Sequence, residues 1–332
     1  MTDIALDDDR LARVMLACAS EPGDTVTGRL VQSFGAVETV RLGFLPPADD
    51  SKLRVDVDHW RARVGPRLNM DRAQEAFDVT ERVGAQVLIP GDKVWPAGMS
   101  VLGDHAALAL WVRGDPAHLS QPAIGVLGAR AATGYGAHVA AEIASDAAAQ
   151  GFVVVSGGAY GIDAAAHRAT IMAGGATVAV LAGGVERLYP AGHAQLFEQI
   201  AKSGALVSEV PPDAAPTRWR FQQRGRLIAA LSSAVVVVEA GARAGALLHA
   251  AQAAEFGRPV GAVPGPITSA ASSGCHRLMR DDIAGLVTGM NDLTLMIRRA
   301  GTPLARTLDS DGTEPTRLSS SSAPARTTSL SL

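Results

Sequence analysis

The chain has 332 residues, about twice the usual length of one domain, and 47% of them are hydrophobic, enough for a sizeable core. Only 4% are aromatic while 35 are glycine, so that core is expected to use small aliphatic side chains and close backbone approaches. Thirty basic against 33 acidic side chains leave a net charge of −3, which argues against coating nucleic acid through bulk charge but leaves room for a local basic site.

Met1 to Arg10 contains Asp3, Asp7, Asp8 and Asp9, the wrong sign for a secretory or transit peptide. The uncharged run from Ala169 to Val185 is broken by Gly174, Gly175, Gly183 and Gly184, so no membrane span is expected. Cys18 and Cys275 are too few for a disulfide framework or a zinc site, and neither sits in a CxxC. The expectation is a cytoplasmic protein with no metal and no cofactor.

In chain order, residues 1–85 give short amphipathic stretches such as Arg10 to Ser20, punctuated by Pro22-Gly23 and Pro46-Pro47, and read as a small helical module. Val87 to Ile89 and Ala107 to Val112 read as short strands leading into the next domain. Six compact apolar runs follow, centred near 126, 154, 179, 206, 236 and 261, each apolar on both faces as parallel strands covered by helices are. Between them, His138 to Gln150, Ala164 to Ala173, Ala194 to Lys202 and Gly245 to Phe256 have helical composition, and Gly274 to Leu278 opens a last helix. The fold class is therefore α/β: a Rossmann-like, doubly wound, mostly parallel sheet over 86–299, preceded by the small helical domain, with its ligand at the carboxyl ends of the strands. Residues 300–332, rich in Ser, Thr, Pro and Arg, are expected to form a disordered tail.

The strand ends carry the candidate chemistry. The first turn, Gly125 to Gly136, is glycine-rich but is neither a dinucleotide fingerprint nor a P-loop, and it places Arg130 beside a helix N-terminus, an anion-binding arrangement. The second, Ser156-Gly157-Gly158-Ala159-Tyr160-Gly161, offers backbone N–H groups to a phosphate, with Asp163 at a helix start and His167 one turn on. No Ser or Cys nucleophile stands at a spacing that would turn Asp163 and His167 into hydrolytic machinery, and both also suit capping or core roles. The stretch from Arg218 to Arg226 holds four arginines, Trp219, Phe221 and no acid, the mixture of phosphate neutralisation and base stacking used by single-strand sites. Burial of Trp219 and Phe221 as anchors of a basic loop is the alternative. A further glycine-rich turn runs from Glu239 through Arg243 to Gly245.

The order of these blocks resembles the DprA/Smf family of DNA-processing proteins over roughly residues 85 to 290. The landmarks are Gly128-x-Arg130 with Tyr135-Gly136, Ser156-Gly157 with Gly161-Ile162-Asp163 and Ala166-His167, Tyr189-Pro190, Ser208-Glu209-x-Pro211, Phe221-x-x-Arg224-x-Arg226, Val238-Glu239-Ala240 with Gly245, and Ala262-Val263-Pro264-Gly265. The resemblance implies a non-enzymatic homodimer that protects single-stranded DNA and assists loading of the RecA recombinase in natural transformation and recombination. Carried over residue by residue, it implies phosphate contacts from Arg130, Gly157, Gly161, Arg224 and Arg226; the residues themselves add Ser156, Gly158, Arg243 and Gly245 as expected phosphate contacts, Trp219 or Phe221 as base stackers, and Asp163, His167 and Glu239 as pocket residues. The family often has Ser at Ala129, Asn at Gly225, Ser at Ala244, Thr at His249 and Asn at His276, so these five positions depart from its pattern. Two competing readings are a nucleotide-processing enzyme resembling the phosphoribohydrolases, whose PGGxGTxxE loop is absent from residues 239–245, and a family member that kept the fold but lost strand binding.

Overall fold

The computed structural model describes residues 8–45 and 57–301. The tail expected over 300–332 falls, beyond Gly301, outside the described residues. Five helices come first: α1 (Asp9–Ala19), α2 (Thr25–Phe34), α3 (Ala36–Phe44), α4 (Val57–Val64) and α5 (Met70–Arg82). Asp8 and Asp24 accept the first free N–H groups of α1 and α2, and Asn69 does the same for α5. Helix α1 buries Ala12, Met15, Leu16 and Ala19 as a stripe at helical spacing, and Val14 on another side of the helix as well.

Nine strands and seven more helices follow, namely β1 (Ala85–Leu88), β2 (Leu110–Gly114), β3 (Ala123–Gly128), α6 (Gly134–Ala149), β4 (Val153–Ser156), α7 (Ile162–Met172), β5 (Thr177–Val180), α8 (Ala194–Ser203), β6 (Ala205–Ser208), α9 (Arg218–Leu231), β7 (Ala234–Glu239), α10 (Gly245–Glu255), β8 (Val260–Ala262), α11 (Ser273–Arg280), β9 (Gly285–Leu286) and α12 (Met290–Arg299). They form one sheet in the order β1-β2-β6-β5-β4-β3-β7-β8-β9. The seven strands from β6 to β9 run parallel, and β1 and β2 add an antiparallel edge. The strand order reverses at β3 and β7, so the chain leaves β3 for one side and returns to its other flank in β7, opening a crevice at the carboxyl edge.

Alternation within the strands assigns the two faces. Val153, Val155, Val178, Val180, Val207, Val235 and Val237 face α9, α10 and α11 in one apolar cluster. On the opposite face Val126, Val154 and Val236 pack with α6, α7 and α12. Further along that face, Ala179, Leu206 and Trp111 join α8 and the N-terminal helices in a third cluster. All six apolar runs of the sequence are strands, as expected. Two helices are additional to that reading: α9, which occupies the Arg218 to Arg226 stretch treated as a basic segment, and α12, which lies beyond the helix taken as the last.

The N-terminal helices are fitted closely to the rest of the molecule. Arg10 donates to the Val87 carbonyl and to Asp92, both at 2.6 Å, tying α1 to the end of β1. At Gly28 in α2, an added Cβ would lie 2.0 Å from the backbone carbonyl oxygen of Asp104. Gly28→Ala is therefore expected to lower stability by about 1–3 kcal/mol through overpacking against backbone that has no room to yield. A reduced midpoint in urea-induced unfolding is the readout.

Candidate nucleic-acid interface

A cleft of about 390 Å³ lies at the switch point, walled by the turn after β3, the start of α9 and the start of α10. Arg130 stands exposed on the first wall, and Arg218, Phe221 and Gln222 come from one side of α9. Thr217 caps α9 by accepting from Arg220 N at 3.2 Å, which fixes where the helix begins and hence which of its side chains face the cleft. On α10, Ala244 occupies the N-cap without a side-chain cap, leaving the first N–H groups of that helix open towards the cleft.

Phe221 is the centre of the arrangement. Its ring has the Arg130 guanidinium 5.1 Å from its centroid and that of Arg224 at 5.0 Å. The two cations differ in kind. Arg130 and Arg218 have no hydrogen-bond or ion-pair partner among the described residues, as is also true of exposed Arg243 in the turn before α10. Arg224 is buried, donates to the Gly157 carbonyl and lies 3.7 Å from Asp163. Burial pushes the Arg224 guanidinium below its usual pKa, with Asp163 opposing that fall. Burial likewise lifts the Asp163 carboxyl above the ordinary carboxylate range, against the pull of Arg224 and of the Ala159 N–H that donates to it at 3.1 Å.

Several residues expected to contact phosphate have other occupations. Arg226 is 1% exposed and its Nη2 donates to both carboxylate oxygens of Glu209 at 2.6 Å, so it is a structural ion pair rather than a ligand contact. Ser156 is fully buried and donates to the Val126 carbonyl at 2.6 Å. Gly157 and Gly158 are buried too, and their missing side chains make room for Arg224 and for the Phe197 ring, not for a ligand. Gly161, at φ +77°, lets the second loop approach the Ala129 carbonyl, which a Cβ would meet at 2.2 Å. Gly245 has open space around it at the cleft.

The expected pocket carboxylate Glu239 is buried and accepts from Thr133 N at 2.8 Å and from Thr133 Oγ1 at 2.7 Å, holding the turn that carries Arg130. His167 is apart from the cleft: its Nδ1 lies 2.7 Å from Thr177 Oγ1, which itself donates to the Val154 carbonyl. The Thr177 hydroxyl proton is thus committed, so Nδ1 carries the imidazole proton, and Nε2 is buried without a partner. Trp219 is half exposed but does not line the cleft. Among the described residues no group of three or more His, Cys, Asp or Glu is placed to hold a metal ion, and no helix is long and apolar enough to cross a membrane.

Sequence reasoning includes Arg218 only as one arginine of the basic stretch and His249 only as a departure from the family's pattern, and names neither as a contact residue; both line the cleft. Residues 218, 221, 222 and 225 share a helix face, a pattern visible once Thr217 is read as a cap. His249 lines the cleft with Nε2 at 3.1 Å from the Phe221 carbonyl, to which it donates as the neutral imidazole. Burial, with Arg224 nearby, holds its pKa down to about 4. A Cβ at Gly225 would come 2.2 Å from the His249 ring, so the departures at 225 and 249 are one coupled change: the imidazole takes the space of a side chain.

Two measurements check these assignments. Arg226→Met leaves the Glu209 carboxylate buried and unpaired and is expected to cost about 3–5 kcal/mol in urea unfolding, whereas Arg130→Ala stays within about 0.5 kcal/mol. Burial depresses the His167 pKa from 6.5 to about 3, so the unfolded chain takes up a proton there first as pH falls. His167 therefore contributes a loss of stability on acidification, approaching about 1.4 kcal/mol per unit below pH ~6.5. His167→Gln, which retains a donor for Thr177, is expected to flatten unfolding free energy between pH 7 and 5.

Residues 86–298 match the family model described as DNA recombination-mediator protein A. A DprA-type DNA processing protein from Mycobacterium tuberculosis is 43% identical over 310 residues, covering 89% of this chain and 77% of that protein. The DNA processing protein DprA of Bacillus subtilis is 37% identical, covering 59% and 66%. Among solved structures, DNA processing protein A from Streptococcus pneumoniae superposes with a TM-score of 0.70 at 28% identity, covering 86% of this chain and 96% of that one. DNA processing protein A from Helicobacter pylori, a protein described for its single-stranded DNA binding mode, shares the fold with a TM-score of 0.58 at 24% identity, covering 65% and 96%. By the extent of these matches, this chain belongs to the DNA recombination-mediator protein A family.

Proposed function

We propose that this protein binds single-stranded DNA in the cleft between α9 and α10 and, as a non-enzymatic cytoplasmic homodimer, protects the strand and assists loading of a RecA-type recombinase. The observation that carries the reading is Phe221, a ring that lines the cleft and is flanked by two guanidinium groups, one of which, Arg130, has no ion-pair partner among the described residues. An unpaired exposed cation is a phosphate site in waiting, and a ring beside it accepts an unstacked base. Arg218 and the uncapped start of α10 with Gly245 add donors around the same opening, and exposed Arg243 stands in the turn just before α10.

In this reading residues 86–299 carry the strand, and the helices α1 to α5 brace the sheet face behind it. The nucleotide-processing alternative gains nothing from Glu239, whose two carboxylate oxygens are engaged by Thr133. Loss of strand binding would sit poorly with a cleft that keeps unpaired cations at its rim.

Binding of labelled oligo-dT and of a matched duplex across a salt series is the test. The expected result is preference for the single strand and a steep salt dependence, with the logarithmic slope reduced by about 0.7 for each of Arg130→Ala and Arg218→Ala. Absence of binding at low salt would overturn the reading.

A further inference from the structure

The chain has three tyrosines, Tyr135, Tyr160 and Tyr189, and all three stand at the carboxyl edge of the sheet, after β3, β4 and β5 respectively. Their exposures are alike, at 46%, 50% and 53%. Half-exposed rings also occur elsewhere in this chain, at Phe44 and Trp219, and what sets the tyrosines apart is that all of them gather at the one edge where the cleft opens. Each is also fixed on one side. The Tyr135 hydroxyl donates to the Pro264 carbonyl beyond β8 at 2.7 Å. Tyr160 packs edge-on against His193 at 4.4 Å, and His193 is itself placed 3.1 Å from the Gly158 carbonyl. Tyr189 meets Phe221 edge-on at 5.8 Å.

Rings immobilised in advance lose little entropy on capturing a flat partner, and each nucleobase offers a flat face whatever its identity. Tyr160 and Tyr189 lie on the β4 and β5 side of Arg130, while Tyr135 reaches the β8 side. From β5 to β8 the sheet order passes through four inter-strand steps, about 19 Å, which takes at most about five or six nucleotides even at the stacked rise of ~3.4 Å each. That falls within the ~4–16 nucleotides that comparable single-strand modules occupy.

We propose that the strand lies across the carboxyl edge of the sheet, perpendicular to the strands, with Tyr160 and Tyr189 on one side of the Phe221 cleft and Tyr135 on the other as base-stacking stations. This path rests on the single-strand reading given above and extends it by a direction and a footprint. The phosphates are met by Arg130, Arg218 and Arg243, and the bases by the rings, so the two kinds of contact are separable.

The test uses the full-length protein, oligo-dT of three to twelve nucleotides, and abasic oligonucleotides of the same lengths. For the wild type, affinity is expected to rise steeply up to about six nucleotides and little beyond. Tyr160→Leu with Tyr189→Leu, and separately Tyr135→Leu, are expected to weaken six-nucleotide oligo-dT about tenfold while leaving the abasic strand and the salt slope unchanged. Tyr160→Phe and Tyr189→Phe retain wild-type affinity, which also guards against loss through misfolding. Tyrosine variants that bind oligo-dT as the wild type does, or that lose dT and abasic strands equally, overturn the path while the single-strand reading stands. A wild type that binds neither strand overturns both.

Discussion

Two guanidinium groups of α9 are buried, and a buried charge must find its complement inside the protein. Arg224 reaches the carbonyl at the end of β4 and the carboxylate at the start of α7, while Arg226 engages Glu209 at the end of β6. Together they lock the rotation of α9 against the carboxyl edge of the sheet. With that rotation fixed, Arg218, Phe221 and Gln222 face the cleft without further instruction. The exposed half of the helix can be cationic because the buried half is neutralised.

The same economy orders the cleft. The Phe221 ring steadies Arg130 through its electron-rich face, a contact worth about 0.5–1 kcal/mol at exposed sites, without consuming its charge as a carboxylate would. Glu239 performs the complementary task from below, gripping the Thr133 backbone and hydroxyl so that the turn carrying Arg130 has one conformation. Asp163 shapes the neighbouring turn through Ala159. The acids at the edge of the crevice thus hold loops, and the free cations remain for a ligand.

The strands were legible in the sequence because parallel strands covered on both faces are continuous apolar runs, and the switch-point crevice followed from their order. Helix α9 was not legible as a helix: the residues it buries include Arg224, Gly225 and Arg226, where apolar periodicity would ordinarily show. Helix α12 was readable in principle from Met290, Leu293 and Ile297, which share a face after Gly289. In the site, residue type pointed to Arg130 and Phe221 correctly as cleft residues, but could not separate Arg226 from them, because an arginine in an ion pair and one awaiting a phosphate have the same letter. Gly157 and Gly158 misled for a related reason, since the space a glycine frees can be filled by the protein's own side chains.

The third apolar cluster joins the N-terminal helices to Trp111, Ala179 and Leu206. Arg220 adds a bidentate link to Glu21 from the base of α9. Strain applied to the early helices is therefore delivered to the helix that bears the cleft, and a partner that gripped them would have mechanical purchase on the grip of the cleft itself. The N-terminal helices are in this sense a handle, joined by α9 to the basic opening they do not line.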